Sequence, residues 1–223
     1  MSISHAKLGS TWDAAKKHSW RTKNPDQSLI FHFVLDASPS MISHKQALIT
    51  AYNMYIRWLQ DHASPMSMAQ MVSFSTRWTI HPLCPLVSLP LLTSHDYRPE
   101  DGDGTAIYNT LGALCLTFTE KAKHIIVLFT DGEDCAEDVV WTALQIRETL
   151  ETLQDVDECL CIYLGAHQRA LSVAQEMGFK PGNVLAFSSD QIAQAFRNLQ
   201  HATQRYLTAA PAERKLLAAG GIF

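Results

Sequence analysis

Leu29-Ile30-Phe31-His32-Phe33-Val34-Leu35-Asp36-Ala37-Ser38-Pro39-Ser40-Met41 is a run of large apolar side chains that stops abruptly at an acid and two hydroxyls. A run of this kind predicts a buried strand that delivers polar groups to the edge of a sheet. Alternate residues of an extended segment point the same way, so the spacing of Asp36, Ser38 and Ser40 can aim three oxygens at one point if the loop bends as it leaves the strand. Hard cations take oxygen ligands, and magnesium requires about six of them at about 2.0 to 2.1 Å, some from water. Three protein oxygens are too few, and the sequence offers two more at other element ends. Thr105 follows the glycine-rich turn Asp101-Gly-Asp-Gly104, and Asp131 ends a second apolar run, His124 to Thr130.

Asp36-x-Ser38-x-Ser40, then Gly104-Thr105, then Thr130-Asp131-Gly132, in that order, closely resembles the metal-ion-dependent adhesion site of von Willebrand factor A (vWA) domains. The resemblance covers roughly residues 29 to 207. It implies an open, doubly wound, mostly parallel Rossmann-like α/β sheet. It also implies that Ser38, Ser40 and Thr105 bind a cation through hydroxyls, with Asp36 and Asp131 ligating directly or through water. The implied cation is Mg2+, with Mn2+ and Ca2+ as alternatives, and the implied partner is a protein that offers a glutamate or aspartate to the metal. An intracellular, bacterial-type member is expected. In such members the domain can serve as the metal-site subunit of an AAA+ ATPase-linked or stress-resistance assembly.

Composition sets the wider frame. The chain has 223 residues, 47% of them apolar and 18% charged, which describes a folded globule with a sizeable core. A net charge of −4 and the lack of a basic, aromatic stripe argue against nucleic acid as the main partner. The amino terminus has no signal-like apolar core and no run approaches the ~20 residues of a membrane span, so a cytoplasmic protein is expected. Five cysteines without a framework pattern read as reduced thiols, with Cys115, Cys159 and Cys161 as small buried hydrophobes.

The organisation expected is an extension at 1–28 with Trp12 and Trp20, a vWA domain at 29–207 and a tail at 208–223. Periodicity predicts helices from about Ser43 to Asp61, with Ser43 and Gln46 as a capping box, from Thr105, from Glu137 to Leu153 and from His167 to Met177. A last helix is expected behind an Asp190 cap, with Ile192, Ala193, Phe196, Leu199 and Leu207 facing inward. Met66–Phe74 and Arg77–Leu83 read as a hairpin turning at Ser75 and Thr76 and supplying the one antiparallel edge strand. The segment from Pro82 to Pro99 reads as a long loop. Glu158–Leu164 and Asn183–Phe187 complete a sheet of about six strands with helices on both faces.

Catalysis is not expected. A phosphoryl-transfer aspartate at 36 would want a second acid at 38, where Ser38 stands. Gly102-x-Gly104 lacks the third glycine of a dinucleotide loop, and none of the ten histidines forms a His-Glu-x-x-His pair. Asp101, Asp103, Glu133 and Asp134 pose a difficulty at the rim, because like charge would repel an incoming carboxylate unless these side chains are otherwise engaged.

Overall fold

The computed structural model describes residues 29–118, 122–156, 158–167 and 169–223. The expected helix or tail carrying Trp12 and Trp20 lies outside the described residues. Among the described residues the sheet has seven strands: β1 (Leu29–Asp36), β2 (Met68–Phe74), β3 (Trp78–Ile80), β4 (Cys84–Pro85), β5 (Lys123–Thr130), β6 (Leu160–Gly165) and β7 (Val184–Ala186). Their order is β3-β2-β1-β5-β6-β7, with β4 also on β2. β1 runs parallel to both β2 and β5, β6 and β7 continue the parallel set, and β3 and β4 pair antiparallel with β2. The seventh strand is the two-residue β4, inside the proline-rich segment.

All eight residues of β1 are buried, as a central strand covered on both faces requires. Phe31, Phe33 and Leu35 pack on one face with α1 (Lys45–His62) and α5 (Ile192–Thr208), where Phe33 meets Tyr52 edge-on at 5.6 Å and the Tyr55 hydroxyl bonds Thr203 at 2.8 Å. Val34, Ile126 and Leu128 face the other layer, built from α2 (Ile107–Cys115), α3 (Ala143–Asp155) and α4 (Ala170–Glu176). Cys115, Cys159 and Cys161 are buried in that second layer, and none of the five cysteines forms a disulfide.

Several boundaries differ from expectation for identifiable reasons. A 3-10 turn over Pro39–His44 comes before α1, so the cap is His44 and no Ser43 capping box forms. α2 starts at Ile107 rather than at Thr105, and α3 starts at Ala143 because a true capping box sits later, where the Gln145 amide donates to Thr142 Oγ1 at 3.3 Å and the Thr142 amide to Gln145 Oε1 at 2.9 Å. Glu133, Asp134, Glu137 and Asp138 therefore lie in a loop and not on the first turn of a helix. Asp190 stands in a 3-10 turn without capping α5, and Ala193 faces solvent. The residues after Pro211, for which the sequence offers few contacts, form α6 (Pro211–Gly220). Asn183 Nδ2 donates to Ala218 O at 3.2 Å and Asn183 Oδ1 accepts the Ile222 amide at 3.1 Å, with Ile222 buried.

The strand order reverses between β1 and β5. Open α/β sheets bind ligands in the crevice outside the carboxyl ends of the strands at such a switch point. Asp36 ends β1, and Thr130 with Asp131 follows on β5, so both sides of this crevice carry an acid.

Candidate metal centre at the sheet edge

Four of the five sequence-predicted residues are joined by hydrogen bonds at this crevice. The Ser38 amide donates to Asp36 Oδ1 at 2.8 Å, the Ser38 and Ser40 hydroxyls lie 3.0 Å apart, and Ser40 Oγ donates to Asp131 Oδ1 at 2.7 Å. Ser40 and Asp131 are 91 positions apart in the chain, so the fold brings two separate motifs to one point. Thr105, also buried, approaches from a third side, its Oγ1 lying 3.9 Å from where a Cβ on Gly132 would stand. Its backbone is tied to the loop after β5, with the Cys135 amide donating to Thr105 O at 2.8 Å and the Thr105 amide to Cys135 Sγ at 3.2 Å.

Asp36 differs from the surface ligand that its sequence position suggests. It is fully buried, and its second oxygen accepts from Thr130 Oγ1 at 2.5 Å. Thr130 Oγ1 in turn accepts the Gly132 amide at 3.1 Å, fixing the turn that presents Asp131. Burial pushes the Asp36 carboxyl up to about 6, against the opposing pull of the Ser38 and Thr130 hydrogen bonds, and the neighbouring Asp131 charge adds to the rise. Asp131 is half-buried, with His44 Nε2 at 4.0 Å from its Oδ2.

Three supporting roles escaped the sequence reading, that of Thr130 among them although it stands in the quoted motif. The buried Tyr97 hydroxyl donates to the Asp36 carbonyl, anchoring the proline-rich loop behind the site. Thr130 clamps Asp36 and the β5 turn together. Asn109 of α2 holds the loop between Asp131 and α3: its Nδ2 donates to Asp138 O at 2.7 Å, and its Oδ1 accepts the Val140 and Trp141 amides, each at 3.0 Å. A buried amide within the apolar stripe of Ile107, Leu111 and Leu114 is the signal that could have exposed it.

The rim acids are engaged. Asp101 pairs with Arg98 at 2.9 Å and Glu133 with Arg169 at 2.9 Å, Asp103 accepts from the Thr76 hydroxyl, and Asp134 accepts the Tyr108 amide at 3.0 Å. Among the described residues no group of three or more His, Cys, Asp or Glu is arranged to hold a metal. The candidate set is two carboxylates and three hydroxyls, a hard, all-oxygen donor set of the kind that suits magnesium, manganese or calcium.

No protein-family model matches this sequence, and no curated protein does. Solved structures resemble it in fold. The PilB minor pilin from Streptococcus sanguinis aligns at a TM-score of 0.59 and 13% identity, over 86% of this chain and 65% of that one. A von Willebrand factor type A protein from Catenulispora acidiphila aligns at 0.53 and 15%, over 80% of this chain and 43% of that one. The ArnB paralog VWA2 from Sulfolobus acidocaldarius aligns at 0.54 and 15%, over 78% and 46%. The chain thus spans a little under half the length of each of these two vWA proteins. Among the described residues no helix is long and apolar enough to cross a membrane. With its mostly parallel seven-stranded sheet and helices on both faces, the chain has the Rossmann-like fold of vWA domains.

Proposed function

We propose that this chain is a non-enzymatic, metal-dependent protein-binding module, with Asp36, Ser38, Ser40, Thr105 and Asp131 holding a divalent cation, Mg2+ first. The observation that carries the reading is the 2.7 Å hydrogen bond from Ser40 to Asp131, which joins the two motifs at the switch point of the sheet. A bound divalent cation supplies a positive centre with an open coordination position. The two carboxylates contribute −2 and the hydroxyls nothing, so they balance the cation without saturating it. Asp36, with both oxygens engaged from within, charges the site from behind the serines; Ser38, Ser40 and Thr105 orient hydroxyl lone pairs; Asp131 fixes the opposite side. A glutamate or aspartate of a partner protein is the natural group for the remaining position. The ion pairs of Asp101 and Glu133 with Arg98 and Arg169 lower the repulsion such a carboxylate meets.

Calorimetric titration of the metal-stripped protein with magnesium and manganese tests this, run beside Asp131→Ala and Thr105→Ala. Saturable binding in the wild type and its loss in both variants, with unchanged circular dichroism, is the expected result. Absence of binding in the wild type would overturn the reading. Recovery of an AAA+ ATPase by the wild type, abolished by chelator, would extend it to an ATPase-linked assembly.

A further inference from the structure

A polar cleft of about 370 Å³ opens beside the candidate metal centre, between the tip of the β2–β3 hairpin and the loop at 98–103. Its lining includes Arg77, Thr79, Arg98, Asp101 and Asp103, and it also takes in Ala37, the chain neighbour of both Asp36 and Ser38. The walls are fixed relative to the metal residues. The Ala37 amide donates to Phe74 O at 2.6 Å, and the Ala106 amide, next to Thr105, donates to Ser75 O at 2.7 Å. Gly102 lies so close to the Ala37 carbonyl that a Cβ there would overlap it, so the loop wall also sits directly on the metal loop.

The charges in this cleft are not equivalent. Arg98 is engaged by Asp101, and Asp103 by Thr76. Arg77 is exposed, lines the cleft, and among the described residues makes no ion pair and no side-chain hydrogen bond. Asp103 is near enough to feel its charge, which partly offsets it without occupying the guanidinium donors. A planar five-donor fork left open on a rigid wall matches a carboxylate.

We infer that Arg77 is a second anchor for an acidic partner segment: one carboxylate of the segment goes to the metal position, and a second acidic side chain lies in the cleft against the Arg77 guanidinium. This rests on the proposed metal-dependent binding and adds the charge pattern of the partner, two acids separated by a short spacer. Exposed charge pairs contribute little each, so the second acid is a specificity feature worth about threefold to fivefold in affinity.

The test uses fluorescein-labelled peptides bearing two glutamates across a series of Gly-Ser spacers, and matched peptides with the second glutamate replaced by glutamine. These are titrated in magnesium against the wild type, Arg77→Ala and Arg77→Glu. The diacid peptide should bind about fivefold tighter at the best spacer. That gap should close in Arg77→Ala and reverse in Arg77→Glu, while calorimetric magnesium binding stays unchanged in both variants. Equal affinities at every spacer in the wild type, a gap that survives in both variants, or no measurable binding of either peptide would overturn the inference. Failure of the metal reading looks different: magnesium does not bind, and the single-acid peptide is indifferent to chelator.

Discussion

Asp36 and His32 sit on the same strand and use burial in opposite ways. Asp36 is a buried acid at the crevice, held by Ser38 and Thr130. Its place was legible because an acid ending an apolar run stands out, whereas its depth was not, because Thr130 lies 94 positions away. His32 is buried further down β1, with its Nε2 at 2.8 Å from His124 Nδ1 and its ring stacked on Phe118 at 4.7 Å. Desolvation, reinforced by the His124 charge, holds its pKa well below the ordinary histidine value. The unfolded chain therefore takes up a proton below about pH 6.5 that the folded chain refuses, so stability is full above that pH and falls as pH drops, by up to about 1.4 kcal/mol per unit. Asp36, raised to about 6, takes up a proton in the folded chain over the same range and offsets part of this loss, so the comparison is between wild type and His32→Phe. Urea midpoints at pH 7.5 and 5.5 should show the wild type losing more stability, or gaining less, than His32→Phe as pH drops, and an identical pH dependence in the two would contradict the assignment. The anchor Asn109 gives a second prediction at this scale. Asn109→Ala removes three side-chain hydrogen bonds to the backbone of the Asp131 loop, which should cost about 1–3 kcal/mol and weaken magnesium binding together with stability. Denaturant titration and calorimetry on one preparation check both.

Elements that repeat a period were readable, and elements that end on a long-range contact were not. The stripe of Leu48, Tyr52, Tyr55 and Leu59 located α1, yet its start moved because Pro39 favours the preceding 3-10 turn. The start of α3 was set by Thr142 and Gln145, and the acids upstream of it were held in a loop by Asn109, whose partners lie about 30 positions away. Gly112 makes the same point about packing. Trp141 lies so tightly on α2 that a Cβ at this glycine would overlap its ring, so this turn of the helix seats the end of the metal-side loop. Gly112→Ala should displace Trp141 and cost about 1–3 kcal/mol, with a weaker magnesium isotherm as the accompanying sign. A variant as stable as the wild type would show that the loop finds another seat.

Across the whole molecule, the alternation of apolar strands and amphipathic helices was enough to give the sheet class and its loaded edge. The chain beyond Pro211 was unreadable because its contacts run to Asn183, Gly182 and Glu158, far away in sequence. Gly182 has no room for a Cβ, with Gly221 Cα at 2.8 Å from that position, so the closing segment is fitted against the loop before β7. Truncation after Ala210 removes the buried Ile222, worth about 2 kcal/mol alone, and should lower the melting temperature by roughly 5 °C or more while leaving magnesium affinity intact. Loss of metal binding in a truncated chain that still melts cooperatively would show that the two ends of the sheet are coupled. The outermost strands carry a different consequence. β3 and β7 are three residues each, one antiparallel and one parallel, so neither flank offers a long row of open amides and carbonyls on which a foreign strand could be templated. Among the described residues, fibrillar stacking and strand donation therefore have little to grip at these flanks.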